Sequence, residues 1–224
     1  MKIADRQIDI YINTDKKRVP FIIFNSDGDE AIAVNKRLLE YGCHDYVLIA
    51  ISGLDWNSDL SPWSSPAIFK NGEDFKGNAD AYLQELINTI IPELINHLKE
   101  KEISTECLSI AGYSLAGLFA LYALYNCDLF SNAASASGSL WYPGFMEYIE
   151  SHKLSDKVDK IYLSLGNTES KTRNPVMAKV EENTIRYYES LKDKINIIYE
   201  ENEGNHFKDP DIRMAKGIKY LLDQ

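Results

Sequence analysis

The chain has 224 residues, of which 45% are hydrophobic and 26% charged, and its formal net charge is −10. This composition excludes disordered, collagen-like and fibrous proteins. The acidity, without any stripe of Lys, Arg and aromatic residues, argues against a nucleic-acid partner. Charged residues begin at Lys2 and no apolar run approaches the roughly 18 residues of a membrane span. We therefore expect a cytoplasmic protein without a signal peptide or a membrane anchor.

The cysteines and histidines give no sign of a metal site. Cys43, Cys107 and Cys127 are odd in number and lack CxxC spacing, which is typical of reduced thiols in a reducing compartment. The four histidines are not paired with cysteines in any zinc-binding motif. The sequence predicts neither a metal nor an organic cofactor.

Strand and helix patterns alternate along the first part of the chain. The predicted elements are an edge strand over 8–12, a strand over 21–24, a helix ending near residue 41 and a buried strand over 46–51. An irregular stretch over 52–78 follows, and its length favours a functional loop. A helix is then predicted over 79–101, which Pro92 should kink or locally break.

The alternation continues to the end of the chain. Strands are predicted over 108–111, 133–137, 161–165 and 195–199, and helices over 115–125, 175–191 and 211–222. This order predicts an α/β fold with a mostly parallel central sheet and helices on both faces. We expect a single domain over residues 1–224, with its ligand site beyond the carboxyl ends of the strands.

The segment GYSLAG, at 112–117, joins a predicted strand to a strongly apolar helix. A serine on such a tight turn has a strained backbone that exposes its hydroxyl, and only small residues fit two positions to either side. Gly112 and Ala116 meet this requirement. The turn therefore predicts Ser114 as a nucleophile and the N–H of Leu115 as an oxyanion donor. The alternative is a glycine-rich turn with an incidental serine.

A nucleophilic serine needs a base, and position separates the histidines. His206 follows the last predicted strand, at the same edge as Ser114. His97 lies within a helix, His44 precedes a strand, and His152 lies in a polar stretch that looks like a helix end. His206 is therefore the predicted base, with a loop histidine or helix cap as the alternative.

The base needs a carboxylate to orient it, and elimination leaves Glu169. This residue lies in the loop after the strand predicted over 161–165. Other carboxylates precede that strand or lie inside the next helix: Asp156, Asp159, Glu181 and Glu182. Glu147 is a weaker alternative, and a solvated loop glutamate is the non-catalytic interpretation.

The order serine, acid, histidine is that of the α/β-hydrolases. The sequence resembles the esterase D and enterochelin-esterase-like branch of that superfamily over residues 21–222. The resemblance is carried by GYSLAG with LFALYAL behind it, SASGSLW at 135–141, DLSPW at 59–63, Gly166 with Glu169, and the Gly-Asn-His at 204–206. It implies an α/β-hydrolase fold and a triad of Ser114, Glu169 and His206, in agreement with the elimination.

The resemblance also implies a second oxyanion donor, which in that family follows a His-Gly or Asp-Gly at the end of an early strand. Here Asp27-Gly28 is the match, which makes the amide of Asp29 the donor. Asn25-Ser26 in the same turn leaves a second register open. An acidic side chain beside an oxyanion would be unfavourable unless it points away.

Large aromatic residues lie in the loops on the predicted site side: Trp56, Trp63, Trp141 and Tyr142, with Tyr113 beside the serine. Such residues are typical of the walls of an apolar or aromatic acyl pocket. Packing as lids over the core is an equally good interpretation.

Together these features predict a serine hydrolase that cleaves a carboxylic ester or thioester of a small molecule through an acyl-enzyme. The chain length leaves little room for a cap domain. Two alternatives are acyl transfer or peptide hydrolysis by the same triad, and a hydrolase-fold binding module with a weak site. The altered His-Gly turn favours the second. The acyl group and the oligomeric state stay open.

Overall fold

The computed structural model describes residues 1–68 and 70–223. Its strands are β1 (Lys2–Ile3), β2 (Arg6–Asn13), β3 (Arg18–Asn25), β4 (Tyr46–Ser52), β5 (Ser64–Ser65), β6 (Phe75–Lys76), β7 (Ser104–Tyr113), β8 (Asn132–Ala136), β9 (Lys160–Gly166) and β10 (Asn196–Asn202). Its helices are α1 (Glu30–Glu40), α2 (Trp56–Asp59), α3 (Ala79–Glu85), α4 (Ile91–Glu100), α5 (Leu115–Asn126), α6 (Phe145–Ser151), α7 (Val180–Leu191) and α8 (Pro210–Leu222).

Within these ranges, eight strands form one sheet in the order β1-β2-β4-β3-β7-β8-β9-β10. The strands from β4 to β10 in this order pair in parallel, while β2 is antiparallel to β4 and β1 to β2. The strand predicted at the edge therefore lies one position inside it, because the short β1 pairs with β2. The mostly parallel sheet of the predicted fold class is confirmed.

Helices cover both faces of the sheet, which explains why the central strands are almost continuously apolar. On one face α1 and α8 bury, among others, Val34, Leu38, Met214 and Ile218. On the other face α3, α4, α5 and α7 bury, among others, Leu83, Leu94, Phe119 and Tyr187. Helix α5, which follows the GYSLAG turn, is buried from Leu115 to Leu124, as its wholly apolar sequence requires. No helix in the described ranges is long and apolar enough to cross a bilayer.

The helix predicted over 79–101 continues past Pro92 by changing its winding. Leu86–Ile90 form a π-helical turn between α3 and α4, and the amide of Ile91 donates to the carbonyl of Leu86, five residues back. Pro92 has no N–H to continue the helical hydrogen bonds, and it is the second residue of α4, directly after the π turn. The proline is therefore accommodated by the π turn rather than by a break.

Two regions differ from the predicted elements. The stretch over 52–78 is not wholly irregular, since it contains α2 and the antiparallel pair β5 and β6. The helix predicted from residue 175 begins at Val180, after a 3-10 turn over Met177–Lys179. Both stretches lie beside the carboxyl edge of the sheet, where the predicted site residues also lie.

Candidate active site

The turn between β7 and α5 has the geometry of a nucleophile elbow. Ser114 has φ +58° and ψ −121°, a strained conformation for a residue other than glycine. A Cβ atom on Gly112 would lie 2.4 Å from the backbone carbonyl of Ala116. Strand and helix therefore cross as closely as the sequence predicts, and the Ser114 side chain stands above the sheet edge.

Ser114, His206 and Glu169 come from three separate loops and form one chain of hydrogen bonds. His206 Nε2 lies 3.1 Å from Ser114 Oγ, and His206 Nδ1 lies 2.8 Å from Glu169 Oε2. Because a carboxylate only accepts hydrogen bonds, Nδ1 carries the proton and the lone pair of Nε2 faces the serine hydroxyl. In this arrangement the imidazole can accept the proton of Ser114.

The Glu169 carboxylate is buried but well supplied with donors, since only 4% of its side chain is exposed. Its Oε1 accepts hydrogen bonds from the Gly166 amide at 2.7 Å, Ser137 Oγ at 2.6 Å and Arg213 Nη2 at 2.8 Å. Burial raises the pKa of Glu169, but the hydrogen bonds from His206, Arg213, Ser137 and Gly166 outweigh it and lower the pKa to about 2. The carboxylate is therefore ionised at neutral pH.

The loops that carry the acid and the histidine are tied to each other through their backbones. The Thr168 amide donates to the Gly204 carbonyl at 3.1 Å, and the Gly204 amide donates to Asn167 Oδ1 at 3.0 Å. A Cβ atom on Gly166 would lie 2.4 Å from the Gly204 carbonyl oxygen, so the two loops pack in direct contact. The distance between Glu169 and His206 is therefore set by the fold rather than by the two side chains alone.

The other three histidines lie apart from this chain of hydrogen bonds, whereas a neighbouring serine is within hydrogen-bond distance of its end. His97 lies in α4, His44 precedes β4, and His152 stacks on Tyr148 with ring centroids 3.9 Å apart. Ser139 Oγ lies 3.4 Å from Ser114 Oγ. In residues 1–68 and 70–223, no group of three or more His, Cys, Asp or Glu side chains could hold a metal ion.

The amides near the oxyanion position differ in what they already bind. Leu115 is the first residue of α5, so its N–H belongs to the first turn, which has no partner within the helix. In the turn after β3, the Ser26 amide donates to the Ile51 carbonyl, and the Asp27 amide donates to Glu30 Oε2, each at 3.0 Å. The Asp29 amide has no hydrogen-bond partner among the described residues. Its role as the second donor stays a prediction.

Comparison with known proteins shows the family of the chain. The chain matches the family model described as Putative esterase over residues 8–208. It belongs to the Putative esterase family. The protein YbbA of Bacillus subtilis (strain 168), itself uncharacterized, is 25% identical over 203 residues, which cover 86% of this chain and 80% of YbbA. Membership of the family identifies the chain as a carboxylic ester hydrolase.

Solved structures show the same fold at low sequence identity. An IroE-like serine hydrolase from Shewanella oneidensis aligns with a TM-score of 0.78 at 16% identity, covering 97% of this chain and 75% of that chain. The siderophore hydrolase EstA from Aspergillus nidulans aligns with a TM-score of 0.74 at 19% identity, covering 96% of this chain and 89% of EstA. The α/β-hydrolase fold predicted from the sequence is confirmed.

In this esterase-family chain, the Tyr142 ring packs against the rings of Trp63 and Trp141, with centroids 5.9 and 6.0 Å apart. The Trp63 indole N–H donates to the Pro143 carbonyl at 2.8 Å, and the Tyr142 hydroxyl donates to the Trp63 carbonyl at 2.5 Å. Trp141 and Tyr142 are only 9% and 2% exposed, whereas Trp56 is half-buried. These contacts are those of a lid over the core. Contact of the four rings with a substrate stays a prediction.

Tyr113, also predicted to contact substrate, directs its hydroxyl inward. The residue is 8% exposed, and its hydroxyl donates to the His206 carbonyl at 2.7 Å. Burial raises the pKa of Tyr113 to about 12, so the hydroxyl is neutral. It therefore braces the histidine loop from below, and its contact with substrate stays a prediction.

Ser137 and Arg213 both donate to Glu169, and neither is predicted from the sequence as a site residue. Ser137 lies within the SASGSLW motif, directly after β8. Arg213 lies on the buried stripe of α8, four residues before the buried Gly217 and eight before Leu221. A charged residue at helical spacing within an apolar stripe is the signal that could have found it.

Proposed function

We propose that the protein is a serine esterase that hydrolyses a carboxylic ester or thioester of a small molecule through an acyl-enzyme. Ser114 is the nucleophile, His206 the general base and acid, and Glu169 the carboxylate that orients the imidazole. The unbroken hydrogen-bond chain from Ser114 Oγ, through both ring nitrogens of His206, to a buried carboxylate carries this proposal.

Each step of the reaction uses one contact of that chain. Ser114 Oγ attacks the ester carbonyl carbon while its proton moves to His206 Nε2, and the oxyanion forms beside the Leu115 amide. His206 then gives this proton to the leaving alcohol or thiol, which departs and leaves the acyl group on Ser114. A water molecule attacks the acyl group with His206 again as base, and the carboxylic acid is released. Glu169 stays ionised throughout and stabilises the imidazolium.

Two proteins of similar structure support the proposal of a small-molecule ester as substrate. The IroE-like serine hydrolase and the siderophore hydrolase EstA share the fold over nearly the whole chain. The proposed mechanism needs neither a metal nor an organic cofactor, because every proton transfer has a donor and an acceptor among Ser114, His206, water and the leaving alcohol or thiol. We place the reaction in the cytoplasm and in a single domain of residues 1–224, with the amide of Asp29 as second oxyanion donor.

Intact-mass analysis after exposure to a fluorophosphonate tests the proposal, because this reagent labels activated serines. We expect one adduct on the native protein and none on Ser114→Ala, whose turnover of a chromogenic ester should fall by roughly four to six orders of magnitude. Ser139→Ala is the matched control, since its hydroxyl is 3.4 Å from that of Ser114 but has no bond to His206. It should still take one adduct.

Two outcomes would contradict the proposal. An adduct that persists on Ser114→Ala would move the nucleophile elsewhere. A native protein that stays unlabelled and turns over no ester of a panel would favour a binding module on the same fold.

A further inference from the structure

A buried arginine lies behind the proposed triad. The side chain of Arg213, on α8, is only 1% exposed, and its guanidinium pairs with Glu169 Oε1 at 2.8 Å. A buried cation is unfavourable unless it is paired, and among the described residues Glu169 is the carboxylate within ion-pair distance. The Tyr113 ring also packs against the guanidinium, 5.5 Å from its carbon.

The same guanidinium also holds the backbone beside His206. Its Nη1 donates to the Tyr113 hydroxyl at 2.8 Å and to the Asn205 carbonyl at 3.3 Å. The Tyr113 hydroxyl in turn donates to the carbonyl of His206 at 2.7 Å. One side chain therefore fixes both the acid and the peptide units that carry the base.

The two carboxylate oxygens of Glu169 accept hydrogen bonds from different groups. Oε2 accepts from His206, while Oε1 accepts from Arg213, Ser137 and the Gly166 amide. A rotation of the carboxylate that broke the contact with His206 would also break these bonds. The planar guanidinium suits this task because its donors are fixed relative to one another.

We propose that Arg213 is a positioning residue for the reaction, which holds Glu169 and His206 in the arrangement that proton transfer requires without touching substrate. This inference rests on the proposed triad. Besides His206 and Arg213, the titratable groups facing Glu169 are Tyr113 and Tyr199, whose pKa values burial raises to about 12. Both are neutral in the working pH range, so Arg213 is the permanent positive charge that faces the carboxylate.

Arg213→Met tests the proposal, because it keeps the length of the side chain and removes the charge and the donors. We expect kcat for a chromogenic ester to fall about 10- to 100-fold while KM changes less than threefold. We also expect the acid limb of the kcat/KM profile between pH 4 and 9 to move to higher pH and steepen, since Glu169 then takes up a proton in that range.

Arg213→Lys separates charge from geometry. It should restore the position of the acid limb and recover only part of kcat, because an ammonium provides the charge but not the fixed pair of donors. If Arg213→Met does not fold, the result for Arg213→Lys tests the proposal. A native melting temperature with kcat at least threefold below native supports the proposal, and native kcat overturns it.

The failure of this inference differs from failure of the proposed function. If the native protein takes no fluorophosphonate adduct on Ser114, the triad itself is wrong. If the native protein is labelled, and folded Arg213→Met matches it in labelling rate, kcat and pH profile, then only the role of Arg213 is overturned.

Discussion

Two halves of the site lie at the same edge of the sheet but are built differently. In the acid–base half, the Glu169 carboxylate has four hydrogen-bond donors, and the loops after β9 and β10 bond to each other. In the oxyanion half, residues 27–29 are exposed. Below them, the buried Asn25 Nδ2 and Ser26 Oγ have no hydrogen-bond partner among the described residues.

The acid–base half is therefore held more rigidly than the oxyanion half. Proton transfer needs three side chains at fixed distances, and burial with paired charges holds them there. Of the two proposed oxyanion donors, the Leu115 amide belongs to the start of the buried helix α5, whereas the direction of the Asp29 amide is set by the exposed turn after β3 alone. A contact between Asn25 Oδ1 and the Tyr82 hydroxyl, at 2.5 Å, ties the start of that turn to α3. The amide of Asp29 lies four residues beyond this anchor.

The largest effect in the oxyanion half is expected from removal of the Asp29 N–H. Asp29→Pro removes the N–H at a residue whose φ of −85° is close to that of proline. If this amide is the second donor, kcat should fall roughly 10²- to 10³-fold while fluorophosphonate labelling still occurs at Ser114. Asp29→Asn keeps the amide and removes the charge, so its kcat should stay within about threefold of native. A proline variant with native kcat would assign the donor to another amide.

A pair of glycine substitutions compares the packing of the two halves. A Cβ atom on Gly112 would lie 2.4 Å from the Ala116 backbone, so Gly112→Ala should lower the free energy of unfolding by about 3 kcal/mol or more. Gly28 has φ +53° and open space around it, so Gly28→Ala should cost only about 1 kcal/mol. Urea denaturation measures both losses. Equal losses would show that the oxyanion turn is packed as tightly as the elbow.

Features of the fold and site that leave a local pattern in the sequence could be predicted from it. The parallel sheet was predictable because strands buried on both faces are continuous apolar runs, as in β4. The elbow was predictable because its close crossing admits only small residues at 112 and 116, which marks the sequence directly. Glu169 and His206 came from position alone, since the carboxyl ends of parallel strands share one edge.

Features that depend on distant partners could not be predicted. The position of Arg213 in the apolar stripe of α8 marks it as buried, but its partner could not be predicted, because only the tertiary fold brings it within 2.8 Å of Glu169, 44 residues earlier in the chain. Which amide of the turn after β3 is free depends on two hydrogen bonds: the Ser26 amide donates to the Ile51 carbonyl, and the Asp27 amide donates to Glu30 Oε2. The pairing of β5 with β6 involves two residues on each strand, too few for any periodicity.

Acid titration tests how much the buried ion network stabilises the fold. The pKa of Glu169 is lowered from 4.5 to about 2, so its ionisation stabilises the folded state above pH 4.5 and this contribution disappears as the pH falls to 2. The shift corresponds to about 3 kcal/mol. The free energy of unfolding should therefore fall by about 3 kcal/mol less in Glu169→Gln than in the native protein between pH 6 and 2. Parallel pH profiles would contradict this role for the carboxylate.

The smallest effect on stability is expected at the rim of the acid–base half, at Phe207. Its ring is 82% exposed and lies edge-on to His206, with ring centroids 5.2 Å apart. Because folding buries little of this ring, Phe207→Ala should change the free energy of unfolding by less than about 0.5 kcal/mol. Leu39→Ala, at a 47% exposed position near the end of α1, is the matched control for losing an exposed apolar side chain.

The kinetic result for Phe207→Ala distinguishes two roles of the ring. If it only offers apolar surface to substrate, KM for aryl esters should rise a few-fold while kcat is unchanged, and alkyl esters should respond less. If kcat fell equally for both ester classes, the ring would instead be holding His206 in place. That result would extend the rigid half of the site to its rim, because an exposed side chain would then share the task that Arg213 performs from inside the protein.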